Sequence, residues 1–279
     1  KESNKWLCGA KDYLDYLGTN KMTAEQLKQE YYKLACDYNI SVSNDEIYVS
    51  LSGLSENMAK AVALTDNFMQ NAKVDKEAYN LWVESELKAR QDNKKNQESN
   101  FRTLTAYGIY GDYNSRRNNP SSEELKSCNP QQLTDLIKSL NGYKHELLYY
   151  GPMELNQFTA AIDKCHKTPK TLNNVPEGKP YTKQLTQKNE ILIAPYKAKN
   201  IYMTQYHNGG KQYDPKNAPL NAMFNEYFGG GMNTVVFQEL REARGLAYSA
   251  WAGYYTPEKK NEPEYFCTNI ISQNDKMMD

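Results

Sequence analysis

The run FGGGMNTVVFQELREARGLAYS, from Phe228 to Ser249, holds the densest chemistry in this sequence. Arg241 and Tyr248 stand seven residues apart across a predicted helix-to-strand junction, so a guanidinium and a phenol can point at one ligand. Neither is a nucleophile, and nothing in the run is a metal cage. The pattern is that of a binding edge rather than a reaction centre. Gly229, Gly230 and Gly231 are not a phosphate loop, because no Lys-Ser/Thr follows them and the strand-turn-helix order of a nucleotide site is missing. They read better as a flexible turn between two helices. The plain alternative for Arg241 is a cation complementing the C-terminal dipole of its helix, as Arg244 does, with Tyr248 packed in a sheet.

Other reactive residue types are sparse. The chain has three histidines. His145 and Glu146 in KHELL lack a second His nearby, and a strand there would point them to opposite faces. They read as surface or sheet-edge residues. A zinc enzyme with an unconventional ligand set of His145, His166 and His207 stays open as a third reading. The five cysteines (Cys8, Cys36, Cys128, Cys165, Cys267) form no CxxC pair, which argues against a zinc knuckle and a disulfide framework.

Lys plus Arg balance Asp plus Glu at 34 each. This removes the electrostatic case for nucleic acid or an anionic membrane. No run of 18 apolar residues spans a bilayer. The 23 tyrosines against 7 phenylalanines suit half-wet strand and helix faces. With no Met at Lys1 and a new helix expected near Asp279, the chain reads as a fragment whose address signals are missing.

The elements that must position these residues can be traced. Thr23-Ala-Glu-Gln26 is a capping box opening a helix with Leu27, Tyr31 and Leu34 on one stripe. Tyr38–Val42 and Glu46–Leu51 read as strands around an Asn-Asp turn. Ser55 caps a helix carrying Met58, Val62, Thr65 and Met69, and a longer helix from Asp75 holds Leu81 and Trp82 before a polar run past Arg90. Ser121–Glu124 is a second capping box. Asn129-Pro130-Gln131-Gln132 predicts a helix with Asn as cap, Pro at its first position and Gln reaching back. His145–Tyr150 reads as a strand and Leu155–Cys165 as a helix. Residues 168–187, rich in Pro, Thr, Lys and Asn, read as a linker. Beyond it, Ile191–Ile193, Ile201–His207, Leu246–Tyr255 and Tyr265–Ile271 are predicted strands, and Pro219–Phe228 a helix. The order helix, strand, turn, strand, then a Ser-led helix start at Ser55 recurs toward Ser272-Gln273-Asn274, a weak internal repeat.

The GGGMNTVVFQELREARGLAYS block resembles the C-terminal homologous domain of pitrilysin/insulinase-type zinc peptidases and their mitochondrial processing peptidase relatives. The stretch LGTNKMTAEQLKQEYYKLACDYNISVSNDEIYVSLSGLSENMAKAVAL resembles the segment after the metal motif in that family's related domains. The resemblance implies an α+β fold of two homologous domains, the second truncated, each a mainly antiparallel sheet with helices on one face. It divides the chain into 1–167, the linker 168–187 and 188–279.

Active domains of that family carry an inverted HxxEH motif, whose His residues hold zinc while the Glu deprotonates a bound water. Counting back from Leu17-Gly18-Thr19, this chain has Gly9, Asp12 and Tyr13 where His, Glu and His would stand. Glu84 and Glu86 lie near the expected distal ligand, with Leu87, Lys88 and Arg90 around it. The resemblance therefore implies no cofactor in this chain and zinc in a metal-bearing partner half, on the same polypeptide or a separate subunit. It also implies that Arg241 and Tyr248 face that zinc and bind peptide carbonyls or the oxyanion formed on attack. The glycine turn would let helices pack closely near a chamber that takes unfolded peptide. A bacterial periplasmic or envelope location follows by family analogy alone. The rival expectation is a degenerate member acting as a structural or assembly partner.

Overall fold

The computed structural model describes residues 1–257 and 262–276. Its chain divides into two units, one of residues 1–90 and 118–180, the other of 91–117 and those from 181 onward. The architecture is α+β: helices with small antiparallel sheets.

In the first unit, helices α1 (Leu7–Leu14) and α2 (Ala24–Lys33) precede the hairpin β1 (Cys36–Val42) and β2 (Ile47–Gly53). Helices α3 (Met58–Asn71) and α4 (Lys76–Lys94) follow, the latter in this unit up to Arg90. Both capping boxes form: Thr23 accepts from the Gln26 N–H and Gln26 returns to the Thr23 N–H, and Ser121 and Glu124 do the same. Ser121 starts α6 (Ser122–Ser127), and Asn129 caps α7 (Pro130–Ser139) by accepting from the Gln131 N–H. In place of the expected return bond to the Asn129 N–H, the Gln132 side chain accepts from the Cys128 thiol at 3.6 Å.

Tyrosine is a core residue here as well as a surface one, because each buried phenol finds a partner. Tyr13 donates to the Asp75 carbonyl at 2.7 Å, Tyr79 to the Leu125 carbonyl at 2.6 Å, and Tyr31 lies 2.8 Å from the Thr65 hydroxyl. These rings pack with Trp82, Phe68, Leu133 and Ile137 in one cluster. A satisfied hydroxyl removes the penalty that would otherwise keep the ring at the surface.

In the second unit, α5 (Gln97–Tyr110) packs against β3 (Asn200–His207) through Phe101 and Tyr202, whose rings meet edge-on at 5.6 Å. The polar run past Arg90 thus leads into a separate helix, capped by Asn96, which accepts from the Ser99 N–H. Strands β3, β4 (Ala247–Tyr255) and β5 (Tyr265–Gln273) form one antiparallel sheet in the order β3-β5-β4. Helix α9 (Ala218–Phe228) packs against β4.

Two expected strands are absent. Residues 145–150 and 191–193 have no ladder partner, and Leu148 and Ile191 are each 85% exposed. An apolar run becomes a strand only where another backbone pairs with it. Residues 168–187 hold no helix or strand. Ser272 lies inside β5 rather than at a helix start, and residues 277–279, where the next helix was expected, fall outside the described residues.

Burial pushes the Tyr31 and Tyr206 phenols up to about 12 and the Cys267 thiol, ordinarily at 9.0, to about 12, and it raises Tyr38, Tyr79 and Tyr265 as well. The unfolded chain releases these protons first, so above its ordinary thiol and phenol values it binds fewer protons than the native state. Stability from these groups is present below that range and is lost as pH rises toward the folded values. Denaturant midpoints measured at about pH 8 and about pH 11 are expected to fall sharply; equal midpoints would contradict the assignment.

Candidate functional site

Arg241 and Tyr248 are brought together by two local irregularities. The helix that starts as α10 (Val235–Phe237) continues as a π-helix, Gln238–Ala243, which carries Arg241. Such wider turns are rare and recur at functional sites. The helix ends at Gly245, whose φ of 60° places it in the left-handed region. The Gly245 N–H donates to the Arg241 carbonyl at 3.1 Å and the Leu246 N–H to the Leu240 carbonyl at 2.8 Å. The Ser272 hydroxyl donates to the Leu246 carbonyl, tying the turn to β5.

The strand then bulges. Ala247 pairs with Ser272 and Ser249 with Ile271, so Tyr248 is the extra residue, turned outward and 78% exposed. The Arg241 guanidinium carbon lies 5.8 Å from the Tyr248 ring centroid and 4.8 Å from that of Phe237. Two aromatic faces thus steady a cation that is itself 44% exposed. Glu242 stands 3.6 Å from Arg241 Nε and Glu239 3.9 Å from Arg244 Nε, solvated pairs that leave the guanidinium able to exchange partners. Both side chains are open to solvent, the guanidinium over the tyrosine ring.

Phe237 escaped the sequence reading, although its position four residues before Arg241 is a neighbour spacing on a helix. Of the three glycines, Gly229 meets the tightest constraint. A Cβ there would lie 2.2 Å from the Ala252 carbonyl oxygen, so the turn packs its backbone against β4. A Cβ on Gly231 would meet nothing within 4 Å.

Gly9, Asp12 and Tyr13 lie on α1, and their surroundings do not fit zinc. A Cβ on Gly9 would sit 3.1 Å from the Trp82 indole, Asp12 pairs with Lys11 at 3.1 Å, and Tyr13 is fully buried with its hydroxyl spent on Asp75. Glu86 is paired with Arg90 at 2.7 Å. Among the described residues, no three His, Cys, Asp or Glu side chains converge as a metal cage. His207 sits on β3 beside Thr186. His145 and His166 do meet, in the first unit, with Asp66 behind His166. Asp66 is 100 residues away from His166 in sequence, which left no local signal for it.

With this geometry in place, the comparisons fix the class. The family model for the peptidase M16 inactive domain matches residues 127–279, more than half of the chain, and the chain belongs to that family. It is similar in fold to the ferredoxin protease FusC, solved as a mutant in complex with Arabidopsis ferredoxin (TM-score 0.75, 13% identity, 99% of this chain and 30% of that one). The periplasmic protease PqqL from Escherichia coli gives 0.73 at 11% identity, over 97% of this chain and 30% of PqqL. A peptidase M16 inactive domain from Pseudomonas fluorescens gives 0.68 at 13% identity, over 98% of this chain and 67% of that one. The chain thus spans under a third of FusC and PqqL. No curated protein matches it in sequence. Among the described residues, no helix is long and apolar enough to cross a membrane.

Proposed function

We propose that this chain is the noncatalytic half of a zinc metalloendopeptidase, binding peptide and helping to close a chamber around it. In this reading two homologous α+β domains, the second truncated, face a metal-bearing half that holds the zinc. Arg241 and Tyr248 are directed at the substrate bound there. The observation that carries the reading is the outward-facing pair itself, a guanidinium 5.8 Å from an exposed, bulged tyrosine ring. Membership of the inactive-domain family supports it too. A protein substrate, as ferredoxin is for FusC, fits the same surface chemistry, and an envelope location is part of the proposal.

Arg241 stabilises the oxyanion that forms at the scissile carbonyl, and the Tyr248 hydroxyl donates a hydrogen bond to a neighbouring peptide oxygen. The zinc, when bound in the partner half, supplies the activated water. The test is peptide cleavage by this chain combined with its metal-bearing half, comparing the natural protein with the Arg241→Ala/Tyr248→Phe double variant. Loss of turnover with the two halves still associated is the expected result. Unchanged turnover, with association intact, would assign the chain to structural assembly instead.

A further inference from the structure

Outside the Arg241 region, the first unit holds a pair of imidazoles whose hydrogen bonding leaves one question open. His166 Nδ1 lies 2.6 Å from the Asp66 carboxylate, and His145 Nδ1 lies 2.7 Å from the Tyr143 carbonyl oxygen. Neither oxygen has a proton to give, so each Nδ1 is the donor. The Nε2 atom of each neutral ring is then left with a lone pair. Those two atoms face each other at 3.0 Å, with the rings edge-to-face at 82°. Two lone pairs at that distance repel unless a positive charge joins them.

We propose that His145 and His166 form a binding site for a divalent first-row transition-metal ion of the zinc class. Metal–imidazole bonds of about 2.0–2.1 Å make two ligand nitrogens 3.0 Å apart neighbours in one coordination shell. They subtend about a right angle at the ion, and opening by a few tenths of an ångström approaches the tetrahedral value. The surroundings are those of a ligand pair: a carboxylate behind one imidazole and a carbonyl behind the other fix tautomer and ring orientation. Imidazole nitrogen selects zinc, nickel or copper over magnesium or calcium, which take oxygen. Among the described residues no third ligand converges there, so water completes the shell and the ion exchanges readily.

The site would act as a tether. His166 caps the end of α8 (Leu155–Cys165), and its Asp66 partner sits on α3. His145 lies on a segment that has neither helix nor strand, where the Lys144 N–H donates to the Asn173 carbonyl at 2.8 Å and Tyr149 stacks on Phe158 of α8 at 4.4 Å. An ion shared by the two rings fastens that segment to α8 and, through Asp66, to α3. The site is independent of the peptidase reading.

The test is calorimetric titration of the metal-free 279-residue chain with Zn²⁺, paired with thermal melting. One ion is expected to bind and to raise Tm, whereas Mg²⁺ does neither. His145→Ala, at an exposed position, and His166→Gln, which keeps a polar side chain beside Asp66, each abolish saturable binding and the Tm rise, with the metal-free fold checked by circular dichroism. Asp66→Asn weakens binding by about tenfold to a hundredfold, the usual effect of losing the group behind a ligand. His207→Ala leaves binding intact. No saturable Zn²⁺ binding at neutral pH overturns the site, since the lone pairs would then be joined by a proton alone. Binding that persists in the His145/His166 double variant overturns it as well.

Discussion

Replacing Arg241 by alanine in the assembled peptidase should lower kcat/KM by about a hundredfold, the scale on which single oxyanion-stabilising donors act. The loss should fall mainly on kcat, because charge at the scissile carbonyl oxygen grows only on the way to the transition state. Arg241→Lys keeps the charge but not the planar fork or the stacking on Phe237 and Tyr248, so it should recover only part of the activity. Phe237→Ala removes the nearer of the two rings without touching a donor and should act as a weaker copy of the arginine variant. The measurement is steady-state cleavage of a quenched peptide, with association of the halves checked by gel filtration. An Arg241→Ala protein that cleaves like the natural one, with the halves associated, refutes the proposed role.

The second large effect belongs to Tyr13 on α1, which under the proposed function takes the place of a metal ligand. Tyr13→Ala should destabilise the chain by about 3–5 kcal/mol, the range for deleting a buried aromatic ring. Its ring is fully buried, 5.3 Å from Tyr79 and 6.1 Å from Trp82 between centroids. Tyr13→Phe keeps the packing but takes the acceptor from the Asp75 N–H, while the Asp75 carbonyl still accepts from the Tyr79 N–H, and should cost about 1 kcal/mol. Rebuilding the inverted motif by Gly9→His, Asp12→Glu and Tyr13→His should destabilise further rather than create a zinc site, because a Cβ on Gly9 already presses on Trp82. Urea unfolding with zinc analysis of the folded protein decides the matter. A stable triple variant with stoichiometric zinc is the outcome that defeats this account of α1.

These predictions separate two jobs within one chain. On α1, Gly9 and Tyr13 serve packing against Trp82 and Tyr79. Arg241 and Tyr248 lie on the outside, on a wide helical turn and at a strand bulge.

Much of the local structure was legible in the order of residues, for identifiable reasons. The capping residues Thr23, Ser121 and Asn129 satisfy backbone N–H groups within three residues of themselves, so their effect is written locally. The hairpin β1–β2, the helix at Leu155 and the strands β3, β4 and β5 follow from short-range periodicity in the same way. The glycine between Arg241 and Tyr248 marked where the helix ends, and Gly245 does turn the chain there with a φ of 60°.

What the order of residues left undecided depends on contacts distant in sequence. Whether 145–150 and 191–193 become strands depends on a pairing backbone, which no local pattern supplies. That Tyr248 is the bulged residue is set by its register against β5, and the meeting of Arg241 with that ring by the π turn and Gly245. The Asp66–His166–His145 chain joins three segments and is invisible until they pack. Periodicity and capping act over one or two helical turns, so they can be read from composition and spacing. Register, burial of a given phenol and the convergence of imidazoles are settled only by the tertiary structure.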